Sequence, residues 1–143
     1  MKKFVEKLKQ KEIEISQEKG DFALFALFLR GDIQDKWDLL VAAPWIEKDK
    51  PRALKYIASI IQKSFMPDEL LKIARIVIID LNNPALRTIH QAVNVEHGSV
   101  NVVNCNFFGL NIKNAYLITS SKKHITTQST RSSPPPNGVG SGG

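Results

Sequence analysis

The chain has 143 residues, 43% of them apolar and 24% charged, and carries a net charge of +6. That length sets one domain as the expectation, and the apolar share is that of a globular chain with material for one core. A single cysteine, Cys105, excludes an internal disulfide framework and a cysteine-based zinc site within one chain.

The opening MKKFVEKLKQKEIEI has the lysines of a secretory leader but no apolar run behind them. A cytoplasmic protein is therefore expected. Lys3 to Lys11 reads as a short amphipathic helix with Phe4, Val5 and Leu8 on one side. From Glu12 to Gly20, Ile13 and Ile15 alternate with charge, the pattern of a brief edge strand.

Phe22 to Leu29 is an unbroken apolar run of eight residues. A membrane span needs about 20 such residues, so no membrane contact is expected and the run reads as a strand buried on both faces. Gly31, Asp32, Asp35 and Lys36 supply turn chemistry. Trp37 to Ala43 follows as a second strand, antiparallel to the first, and Pro44 ends its pairing. Asp38 is the one charge inside that strand. It either lies near the strand end, facing water or bonded to turn amides, or is a metal-binding or catalytic acid.

Pro51 to Phe65 is the clearest helix. Leu54, Ile57, Ala58, Ile61 and Phe65 form its apolar stripe, and Arg52, Lys55 and Lys63 lie on the polar side, where they are either solvated or in reach of a polyanion. Pro67 to Lys72 is a short helix and Arg75 to Asp80 a β-branched third strand. Asn83 caps a helix from Pro84 to Val93 that buries Leu86, Ile89 and Val93 and sends Arg87 and His90 outward. Val100 to Cys105 and Leu110 to Thr119 are the last strands, joined by a hairpin at Asn106 to Gly109. Phe107 and Phe108 at its tip are expected to diverge, one into the core and one toward an interface.

The order α-β-β-α-β-α-β-β predicts an α/β (or α+β) fold, a mixed, twisted sheet of about five strands with helices on both faces. Parallel crossovers are expected within 37–80 and within 75–105. Residues 1–119 are read as the globular domain and residues 120–143, rich in Ser, Pro and Gly, as a flexible tail.

Residues 51–143 hold ten basic and four acidic side chains, which account for the whole +6. A basic half-chain suits a protein or polyanion partner, although no nucleic-acid motif supports the latter. No phosphate-cradling glycine loop or nucleophile elbow is present. The reading that follows is a non-enzymatic binding or regulatory module, able to self-associate through Phe107 and Phe108 and without an evident cofactor. The alternative is a metal-dependent hydrolase of nuclease type in which Asp38, Asp80 and Glu96, with His97 beside them, hold a divalent cation. That alternative requires the carboxylates to converge.

Overall fold

A computed structural model describes residues 1–30, 36–107 and 109–122. Its elements are α1 (Lys2–Lys19), β1 (Leu24–Arg30), β2 (Trp37–Ala42), α2 (Pro44–Glu47), α3 (Lys50–Ser64), α4 (Pro67–Leu70), β3 (Ile73–Ile78), α5 (Pro84–Ala92), β4 (Val100–Phe107) and β5 (Leu110–Ser120). The five strands form one mixed sheet in the order β3-β2-β1-β5-β4. β1 is the middle strand, antiparallel to β2 on one side and to β5 on the other. Its run from Phe22 to Phe28 is almost wholly removed from solvent. A strand apolar on both faces is satisfied only at the centre of a sheet with cover above and below.

The cover is unequal. On the first face, α1 and α3 pack Phe4, Leu8, Ile15, Ala53, Ile57 and Ile61 against Phe25, Leu27, Leu39 and Val41. On the second, α5 alone sets Leu86 and Ile89 against Leu24, Ala26, Leu40 and Ala42. Helices thus lie on both faces, as the element order predicts. However, α5 has 9 residues against the 18 and 15 of α1 and α3. At 1.5 Å per residue it spans about 14 Å, too little for a sheet about 20 Å wide.

Several expectations are corrected. Glu12 to Gly20 continues α1 and forms no strand. Leu8, Glu12, Ile15 and Ser16 make one helical stripe that is buried against the sheet, and this spacing of four, three and one overrides the local alternation of Ile13 and Ile15. The β2–β3 step is the expected parallel crossover. The 75–105 step is not, because β4 lies at the opposite edge and pairs antiparallel with β5. β1 recruits β5 to its second side and β5 brings its hairpin partner, so the outer edge of β3 pairs with no strand among the described residues. His90 points inward. It is 7% exposed, and its Nε2 donates to the Ala23 carbonyl at 2.9 Å. Ser120 and Ser121 are buried, Ser120 at the end of β5, so the domain runs past residue 119. The remainder of the expected tail, from residue 123, lies outside the described residues.

The β4–β5 hairpin carries a kink. Asn104 has φ 51, and the β1–β5 register skips Lys113 between Asn114 and Ile112. On both strands the residues that reach the second face then step by three instead of two, Val102 to Cys105 and Ala115 to Ile112. This bends Phe107 onto Phe28, ring to ring at 5.6 Å. Phe107 is therefore core, not an exposed interface residue, and Phe108 lies outside the described residues.

Phe107→Ala is expected to cost about 3 kcal/mol in urea unfolding, the loss of a core phenylalanine. His90 gives a second test. Burial, more than any charge, pushes its imidazole below the ordinary 6.5. A group whose folded value is depressed contributes stability above its unfolded value, and that contribution is lost as pH falls through the folded one. Urea midpoints should therefore drop as the pH falls below about 6.5, and His90→Gln should flatten that part of the profile.

Candidate functional site

The structure keeps apart the three carboxylates proposed as metal ligands. Asp38 pairs in register with Arg75, and Asp80 stands five residues farther along, about 16 Å at strand rise. Glu96 follows the Val95–Ser120 bridge on the far side of β5, four strand spacings or about 19 Å from β3. Asp80 forms an ion pair with Lys50, which holds that lysine's pKa above its usual range. Glu96 accepts from Ser121 Oγ at 3.2 Å. Among the described residues no three acidic, histidine or cysteine side chains come together as a metal site. Cys105 is half-buried, and burial pushes its thiol up, away from an activated thiolate. His124 lies outside the described residues.

A buried acid that alternation concealed is Glu12. It is fully removed from solvent on α1 and collects three donors: His97 Nδ1 at 2.7 Å, Thr119 Oγ1 at 2.8 Å and Ser16 Oγ at 3.2 Å. Thr119 Oγ1 in turn accepts the His97 backbone N–H at 3.1 Å. His97, at φ 52, is held by both ends. This cluster fastens α1 to β5 and to the loop before β4. The helical spacing from Leu8 to Ser16 was the signal that could have exposed it.

The open surface lies at β3. Its N-terminal half is anchored by Arg75, whose guanidinium grips the nearly buried Asp38 carboxylate with two contacts of 3.2 Å. Asp38 is thus buried on the second face and paired with Arg75, not turned to water as a strand-end acid would be. From Ile76 onward β3 is regular, and Ile76, Val77 and Ile78 are all half-buried, not buried. The Ile79 N–H points at the Val41 carbonyl of β2. Alternation along the strand therefore turns the N–H groups of Ile76 and Ile78 outward.

A cleft flanks this edge on each face. On the first, about 200 Å³ is enclosed by Ala58, Ile61 and Gln62 of α3, Leu70, Ile73 and Ile76. On the second, about 180 Å³ is lined by Phe28, Leu40, Val77, Ile79 and Ile112, with the Asp38–Arg75 pair and Leu110 among its walls. The second cleft is the part of the face that short α5 leaves uncovered. Lys55 lies on the α3 flank beside the first cleft, since positions 55, 58 and 62 share one side of a helix. Arg52 and Lys63, about three turns apart, share a stripe that faces away from it.

No helix among the described residues is long and apolar enough to cross a membrane. Comparisons with family models, with curated proteins and with solved structures return no match, so the functional reading has to come from the geometry.

Glu12→Ala is expected to destabilise the chain by about 3 kcal/mol, because it leaves its buried and half-buried donors without their acceptor. Urea unfolding would measure this, and Glu12→Gln, which keeps an acceptor oxygen, should recover part of the loss.

Proposed function

We propose that the protein is a non-enzymatic binding module that takes an extended segment of a partner protein as a sixth strand on β3. One observation carries the reading: among the described residues β3 is an unpaired edge, with an apolar cleft on either face. A strand added there satisfies the outward N–H and C=O groups of Ile76 and Ile78. Its successive side chains point to opposite faces, one into each cleft. Main-chain bonding supplies affinity in this mode and the paired clefts supply selectivity.

The composition of β3 supports the same reading. Native sheets blunt exposed edges with lysine, proline or bulges, and β3 after Arg75 has none of these: Ile76, Val77 and Ile78 are all β-branched and apolar. The opposite edge, β4, is interrupted at Asn104. The separation of Asp38, Asp80 and Glu96 gives no support to metal-assisted hydrolysis, and the half-buried Cys105, its thiol pushed up, gives none to thiol chemistry.

In a ¹⁵N NMR titration, blocked heptapeptides with three consecutive aliphatic residues should shift the amides of Ile76, Ile78 and the cleft residues Leu40 and Ile112. Ile76→Lys should weaken binding at least tenfold with little change in melting temperature, since Ile76 is only half-buried. Val103→Lys on β4 should leave binding unchanged. Shifts confined to β4 or to α1 would overturn the proposal.

A further inference from the structure

We infer that the segment received by β3 carries acid on the side of its aliphatic centre that lies beside Arg75. The inference rests on the sixth-strand reading and adds the chemistry of the partner. Its basis is the charge around the edge.

Arg75 stands on β3 itself, with its side chain 55% exposed while two of its nitrogens hold Asp38. It is also part of the wall of the second cleft. At the start of the strand are Lys72, whose Nζ lies 5.9 Å over the Phe4 ring, and Lys36, whose Nζ donates to the Leu71 carbonyl. Neither has a carboxylate partner among the described ion pairs. Beside the first cleft stands the exposed Lys55 of α3.

Most of the acids near this edge are engaged. Asp38 is held by Arg75, Asp80 by Lys50, and Glu69 by Lys7 and by the Met66 N–H. Glu47 accepts the Leu81 N–H at 3.1 Å beside Asp80, the exposed Asp49 precedes the Lys50 that pairs with Asp80, and Asp68 on α4 is also exposed. The N-terminal end of the prospective strand is thus positive, through Arg75, Lys72 and Lys36. A segment with carboxylates beside its aliphatic residues meets cations at that end. A lysine-bearing segment meets repulsion there.

The test uses three sets of blocked heptapeptides, each with three consecutive aliphatic residues flanked on both sides by two glutamates, two serines or two lysines. Affinity is read from amide shifts of ¹⁵N-labelled protein at about 50 mM and at about 500 mM salt. The glutamate set is expected to bind about tenfold more tightly than the lysine set at low salt, the sum of a few exposed charge pairs. That advantage should shrink at high salt, and it should fall in the Lys55→Glu variant, whose substituted side chain is exposed. Equal affinity of the three sets at β3 would overturn the inference about charge and leave the sixth-strand reading standing. Absence of shifts at β3 and its clefts with every set would overturn both.

Discussion

Burial of the Phe22–Phe28 run on both faces is the constraint that the rest of the molecule answers. A strand with no polar face must have a neighbour on each side and a layer above and below. The neighbours are β2, brought by the shortest route, and β5, brought from the far end of the chain. Two long helices close one face. On the other, α5 reaches only part of the way, and the kinked β4–β5 hairpin supplies Phe107 for some of what remains. The second cleft is the residue of this incomplete closure.

The polar interior fixes how that closure is held. Glu12 is a charged side chain in a fully buried position, which a fold tolerates only when donors replace water around it. His97, Thr119 and Ser16 do so. The cluster joins residues separated by as many as 107 positions, so it fixes α1 onto the sheet from a part of the chain made last. Asp38 and Arg75 do the same on a smaller scale between β2 and β3. Both arrangements read as fastening, and neither brings a second reactive group alongside.

Much of the architecture was legible in the residues. Phe22 to Leu29 announced a central strand by being apolar at every position. Ile57, Ile61 and Phe65, opened by Asp49 and Pro51, announced α3, although Leu54 is exposed and Ala53 is buried where the stripe was expected to begin. Asn83 and Pro84 marked the start of α5, and the Asn83 side chain does accept the Ala85 N–H at 2.9 Å. What failed has physical causes. Ile13 and Ile15 alternate over too few residues to separate a strand from the end of a helix, and the continuing stripe to Ser16 decides for helix. His90 is polar enough to read as exposed, yet a single carbonyl acceptor suffices to bury it. The strand order depended on which segment would take the second side of β1, a competition between distant parts of the chain that no local pattern records. The two clefts at β3 follow from that order and so were invisible with it, whereas Lys55 was visible as part of a basic flank with no surface to belong to.

The inequivalence of the two sheet edges bears on how the molecule behaves at high concentration. Open-ended assembly of sheets needs two compatible edges, one to offer and one to receive, so that each added unit exposes a fresh template. Here the turn of the backbone at Asn104 disrupts one of them. An addition at β3 therefore consumes the one regular edge among the described residues and exposes no new one from them. Growth stops after a single step, and the protein can leave an apolar edge bare without becoming the seed of a fibre.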